Sequence, residues 1–387
     1  MGERAALGEL ARVFLKLGTI GFGGPAAHIA LMEDEVVRRR RWLSREAFLD
    51  YLGATNLIPG PNSTELAIHI GHARAGWPGL LVAGASFILP AVVIVTAVAW
   101  AYVRFGTLPA AESVLYGVKP VVIAVVAQAL WGLGRTAIKS RALAALAVGA
   151  TVAAAAGVHE LIILAACGAV MALARGVYRT VGGSGAAGVA LLAGPNLITL
   201  GGTAAPAAVP VNLGPLFGVF VKVGAVLFGS GYVLLAFLRA DLVERLGWLT
   251  ERQLLDAVAV GQITPGPVFT TATFIGYVLR GWPGALVATV GIFLPAFVFV
   301  AVSGPLIPRM RRSPTVAAAL DGVNAASLAL MAVVTWQLGR AALVDPFTTL
   351  LAAVSLLLLL DARINSAWLV LGGALAGAAA RSLMSPV

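Results

Sequence analysis

The chain has 387 residues, of which 59% are hydrophobic and only 11% charged, with a mean hydropathy of +0.93. A soluble domain carries about 25% charged residues, so this composition excludes an ordinary soluble protein and indicates an all-α polytopic membrane protein. The formal net charge of +10 does not indicate a nucleic-acid partner, because the positive residues lie in short loops between apolar runs, where they set orientation.

In chain order, the first half contains apolar segments at 10–32, 47–73, 79–103, 114–134, 142–157 and 160–175. The first of these ends in Phe22-Gly23-Gly24-Pro25 and a charged stretch, so no cleavable signal peptide is expected. The segment 47–73 is interrupted by Asn56-Leu57-Ile58-Pro59-Gly60-Pro61, which cannot be helical. Pro59 lacks the N–H that a helix needs there, and Gly60 removes the side chain so that a ligand can approach the backbone. Pro61 suits the first position of a new helix, which leaves the amides of Asn62 and Ser63 without intrahelical acceptors. The run from Ala47 to Ile58 makes roughly 18 Å of helix, so the break falls near the middle of a hydrocarbon layer about 30 Å thick. The last two segments are short and are expected to form a hairpin around Val158-His159-Glu160. Their small-residue face, Ala142–Gly157, would permit a homodimer. Cys167, the single cysteine, excludes an intramolecular disulfide.

The second half repeats the first. Its segments are 216–238, 253–279, 284–303, 316–337, 346–360 and 364–380. Phe14-Leu15-Lys16-Leu17-Gly18 recurs as Phe220-Val221-Lys222-Val223-Gly224, and Phe22-Gly23-Gly24-Pro25 as Phe228-Gly229-Ser230-Gly231. Gln262-Ile263-Thr264-Pro265-Gly266-Pro267 repeats the interruption and leaves the amides of Val268 and Phe269 unbonded. Gly76-Trp77-Pro78-Gly79 matches Gly281-Trp282-Pro283-Gly284, Gly117-Val118 matches Gly322-Val323, and the register slips by one residue over the series. The chain therefore divides into a first repeat at 10–180, a Gly/Ala/Pro-rich linker at 181–214 that could add a crossing, and a second repeat at 215–382. Basic residues cluster at Arg38–Arg41, Arg135, Lys139 and Arg141 in the first half. In the second they cluster at Arg309, Arg311 and Arg312, in the loop that matches the weakly charged one of the first half. If basic loops are cytoplasmic, the repeats are inverted, the architecture of alternating-access transporters.

Several residues could carry chemistry. Each Pro-Gly-Pro triplet starts a half-helix whose N-terminus holds about half a positive charge, suited to an anion, although a proline can also simply kink a membrane helix. Lys16 and Lys222, a matched pair in apolar context, either face the same cavity or snorkel to the interface. Asn56 and Gln262 can hydrogen-bond freed carbonyls or a ligand. Glu65, His69 and His72 share one helical face. With His28 they are the unusual ionisable groups of the apolar segments; a polar stripe, proton coupling and a metal site all fit that spacing. An intramembrane metalloenzyme built on Glu65, His69 and His72 is the alternative from another class. No paired carboxylates, nucleophile motif or nucleotide signature accompanies them, and no cofactor is expected.

Phe22-Gly23-Gly24-Pro25, then Arg40-Arg41-Trp42, then Pro59-Gly60-Pro61, with partial copies ending at Pro265-Gly266-Pro267, resembles the chromate transporter family in its two-domain form. The resemblance covers 10–175 and 215–380. It implies a multi-pass carrier of the bacterial or archaeal inner membrane that exports chromate using the proton motive force. A carrier or passive channel for sulfate, near-isosteric with chromate, or for another anion is the alternative. Family motif positions fall on Phe22, Gly23, Gly24 and Pro25, on Arg40, Arg41 and Trp42, on Pro59, Gly60 and Pro61, and on Pro265, Gly266 and Pro267. The sequence departs from the family pattern at Phe228-Gly229-Ser230-Gly231, which lacks the proline, and at Asn62-Ser63-Thr64-Glu65, which is unusually polar and acidic.

Overall fold

The computed structural model describes residues 3–22, 24–106, 109–180, 210–228, 233–303, 313–361, 364 and 366–384. Residues 181–209 of the linker, Gly23, Gly229 and the basic cluster at 309–312 lie outside the described residues. The first repeat contains α1 (Glu3–Ile20), α2 (Gly24–Glu33), α3 (Arg45–Thr55), α4 (Asn62–Phe105), α5 (Pro109–Ala137), α6 (Arg141–Ala155) and α7 (Glu160–Thr180). The second contains α8 (Leu213–Val226), α9 (Leu234–Leu238), α10 (Glu251–Ile263), α11 (Thr271–Ser303), α12 (Pro314–Ala342), α13 (Pro346–Asp361) and α14 (Ser366–Met384). Among the described residues, all regular structure is helical. The duplication reaches fine detail: α2 and α9 both run on into wider π-helical turns, Asp34–Arg39 and Arg239–Arg245. Stretches of α4, α5, α11 and α12 are long and apolar enough to cross a membrane.

The interruptions fall where the sequence places them, but the limbs on either side lie side by side instead of end to end. Tyr51 of α3 stacks on His69 of α4 with ring centroids 5.4 Å apart. Phe48 shares a buried cluster with Leu66, Ala67 and Ile70. The chain therefore reverses at Pro59-Gly60-Pro61, and Gly60, at φ +139°, and Gly266, at φ +94°, supply backbone conformations that side chains oppose. A second reversal follows. Ala75 and Gly76 leave the helical region, and a Cβ on Gly71 would stand 2.2 Å from the Gly79 carbonyl oxygen. In a straight helix those glycines would be about 12 Å apart along the axis. The same fold-back occurs at Arg280 and Gly281, where the hydroxyls of Thr273 and Thr289 meet at 2.7 Å.

The segment 10–32, expected as one run, is likewise a hairpin. α1 ends at Ile20, Gly24 takes φ +76°, and α2 returns so that Arg40 reaches Glu9 at 2.6 Å. The 216–238 segment divides in the same way into α8 and α9. α1 runs parallel to the long limb of α4: Arg74 lies 3.5 Å from Glu9, and Gly18 packs on the Phe87 carbonyl. From Glu9 to Gly21 is about 18 Å of helix, which sets the hairpin tip at mid-depth.

The matched helices α5 and α12 lie antiparallel. Lys139 pairs with Asp321 at 2.9 Å, Gly134 faces Leu328, and Gly339 faces Ile123. Equivalent helices that run in opposite directions across a membrane are related by an axis lying in its plane, so the repeats are inverted. The halves also interlock. A Cβ on Gly117 of α5 would stand 1.9 Å from the Gly373 carbonyl oxygen, and one on Gly322 of α12 would stand 2.3 Å from that of Cys167. Between membrane helices such close approach replaces the hydrophobic drive that water supplies elsewhere. Leucine at Gly117 or Gly322 is expected to destabilise the detergent-solubilised protein by about 1–3 kcal/mol, visible as a lowered Tm. An unchanged Tm would contradict this interlock.

Candidate functional site

The hairpin tips meet at the centre of the molecule and are tied across the repeats. Gly60 donates its amide to the Leu227 carbonyl at 2.8 Å, and Gly266 donates to the Gly21 carbonyl at 2.9 Å. These are equivalent bonds: each Pro-Gly-Pro turn is held by the end of the other repeat's first helix. His28 links the two hairpins of the first repeat. Its Nε2 stands 2.9 Å from the Gly21 carbonyl, which can only accept, so Nε2 carries the proton. Its Nδ1 is then left to accept from Ser63 Oγ at 3.3 Å.

A cavity of about 850 Å³ opens from these tips. Pro61, Asn62 and Ser63 line it from one repeat, and Pro267, Val268 and Phe269 from the other, so both half-helix starts face the same space. Each N-terminal turn offers amides with no acceptor one turn back, and a partial positive charge, to whatever occupies it. Asn56 also lines the cavity. It accepts from the Asn62 side chain at 3.0 Å and donates to the Leu52 carbonyl at 3.1 Å, bracing the turn. Pro25 and Phe228 of the two glycine-rich motifs, and His28, complete the tip side. Pro59, Gly60, Pro265 and Gly266 sit behind the lining, where they shape the turns, and Gln262 is buried outside it. Gly24 shapes the neighbouring turn through its positive φ.

Neither Lys16 nor Lys222 lines the cavity. Lys16 Nζ is 3.1 Å from Glu35, and Lys222 Nζ is 2.7 Å from Asp241, at matched positions of the two repeats. The physical reason is the acid: Glu35 and Asp241 are buried, and a buried carboxylate requires a cation. Burial alone would raise Glu35, but hydrogen bonds and charge from Arg40 and Lys16 outweigh it and hold the carboxyl below the ordinary range. The helix ends, and not a lysine pair, therefore give the cavity its polarity. The charged residues that do line it, Lys139 and Asp321, neutralise each other at the mouth.

Glu65 is fully buried, and neither carboxyl oxygen has a hydrogen-bond partner. It lies directly beneath Gly60, whose missing Cβ would stand 2.2 Å from Oε1. His69 is buried against Tyr51, while His72 is exposed beside Trp77. The three do not converge, and among the described residues no group of His, Cys, Asp or Glu is placed to hold a metal ion. Sequence reasoning missed the opposite wall: Gln128 on α5, and Asn324 and Ser327 on α12. The available signal was polar residues inside apolar helices, with Asn324 and Ser327 three apart on one face.

The family model described as chromate transporter matches residues 8–173 and 214–378. The chain belongs to the chromate transporter family. It is 34% identical to a chromate transport protein of Cupriavidus metallidurans over 98% of this chain and 94% of that one. A probable chromate transport protein of Synechococcus elongatus is 31% identical over 91% of this chain and 89% of its own length. A chromate transport protein of Pseudomonas aeruginosa is 31% identical over 84% of this chain and 80% of its own. No solved structure matches. This chromate transporter family member is a multi-pass membrane protein whose relatives are transport proteins and not enzymes.

Proposed function

We propose that this protein carries chromate out of the cell across the inner membrane of a bacterium or archaeon, by alternating access around the central cavity. The observation that carries the reading is that both Pro-Gly-Pro half-helix starts line the same space. Unbonded amides aimed from two sides suit an oxyanion without any fixed cation. Amides read charge and shape, so sulfate is expected to compete. The cavity mouth, at Thr136, Lys139 and Ala317, is on the face that also carries Arg38–Arg41 and Arg74. By the positive-inside rule that face is cytoplasmic, which supports loading from inside the cell.

Proton coupling runs through Glu65 in this reading, with His28 and His69 as the other candidates. An uncompensated buried charge costs several kcal/mol, so a carboxyl enclosed without a protein hydrogen-bond partner is suited to bind and release a proton. A proton held one turn beneath the anion-binding amides can be exchanged when the hairpin moves. The small-residue face of α6 leaves room for a homodimer. The test is chromate accumulation in inverted vesicles energised by a pH gradient. Uptake, inhibition by sulfate and loss of uptake on collapsing the gradient are expected. Uptake indifferent to the gradient removes the coupling, and no uptake at all removes the substrate.

A further inference from the structure

The two repeats are copies, yet among the described residues the wall that lines the cavity in one repeat is built differently in the other. Carried onto the other repeat, the α12 wall formed by Asn324, Ser327 and Leu328 becomes Lys119, Val122 and Ile123 of α5. There the wall is apolar and closed: Val122 and Val126 are buried in the same continuous core as Val334 and Leu338. Outside this wall lies Asp256 of α10, 1% exposed, with Lys119 Nζ 2.9 Å from Oδ1 and the Tyr102 hydroxyl donating to Oδ2 at 2.8 Å. Tyr102 packs in turn on Phe274, and a second layer, Arg252 and Arg381 around Glu112, covers the assembly. At the open end the residue matching Asp256 is Asp50, which is exposed, and the residue matching Lys119 is the neutral Asn324, which faces the cavity.

The buried ion pair therefore ties the second repeat's hairpin to the first repeat's long helix. We infer that Lys119, Asp256 and Tyr102 form the far-side gate of the transport pathway, holding it closed while the cavity faces the cytoplasm and separating when access alternates. This rests on the transport reading above. A buried pair suits such a latch, because it holds firmly while dry and loses its advantage once water enters. The divergence of the repeats at these positions makes the two ends unequal, so that the closed far side is the resting arrangement.

The test uses the single native cysteine. In a Cys167→Ala background, cysteine is placed at Val122 or at its repeat counterpart Ser327, and a membrane-impermeant maleimide is applied from either face. Ser327→Cys is expected to react from the cytoplasmic face and Val122→Cys to be protected from the far face. Adding Lys119→Met, or the doubly neutral Lys119→Met/Asp256→Asn that leaves no orphaned charge, is expected to raise far-side labelling of Val122→Cys about tenfold. Tyr102→Phe is expected to give a smaller rise. Labelling of Val122→Cys that stays at the parent level in the well-folded double variant overturns the gate, as does full labelling in the parent. Labelling needs no substrate, so it is scored independently of chromate flux, whose absence would sink the substrate reading alone.

Discussion

Leucine at Gly60 is expected to abolish chromate flux while the protein still inserts and accumulates in the membrane. Gly60 adopts φ +139°, its amide is spent on the Leu227 carbonyl, and its α-carbon faces Glu65, so a side chain has neither conformation nor room. Even alanine at such a backbone angle costs about 1–3 kcal/mol. That strain is local to a tip at mid-depth and leaves the long apolar helices intact, which is why insertion should survive. Gly266, at φ +94° with the Ala91 methyl 2.7 Å from where its Cβ would stand, should behave the same way. Vesicle flux, normalised to the amount of protein in the membrane, decides the matter. Near-normal flux in both leucine variants would move the anion site away from these turns.

Glu65→Gln is the second large effect. Glutamine keeps the shape and the hydrogen-bonding capacity of a neutral acid but cannot release a proton. If Glu65 carries the coupled proton, the variant binds chromate but no longer accumulates it in response to a pH gradient, and residual flux becomes equilibrative. Because the native side chain is fully buried without a partner, the exchange should change stability little, by no more than about 1–3 kcal/mol. Gradient-driven accumulation at the parental rate would return the coupling role to His28 or His69, whose substitutions are the natural next comparison.

Much of this architecture is legible in the residues themselves. Paired Pro-Gly-Pro triplets signal interrupted helices because proline lacks an amide hydrogen and glycine tolerates left-handed backbone, and both effects act within a few residues. The matched series from Phe14 and Phe220 onward establishes two copies, and the shift of basic residues from one loop to its counterpart indicates their inversion. The path of the limbs is less legible. An interrupted apolar stretch has the same sequence whether its second limb continues across the membrane or turns back, and it was Tyr51 lying on His69 that distinguished the two. Lys16 and Lys222 illustrate the same limit. A lysine in apolar context announces that it needs a reason, but the acids that supply it, Glu35 and Asp241, come from the returning helices.

The sequence by itself determined an all-helical membrane protein made of two inverted copies, each broken by an amide-exposing turn, because periodicity, proline chemistry and charge bias are properties of neighbouring residues. Only the tertiary structure decided that the turns share one cavity and that Asp256 pairs with Lys119 and Tyr102. Tyr102 and Asp256 are 154 positions apart along the chain. Contacts of that kind depend on how helices from both copies interlock, and no local spacing encodes them.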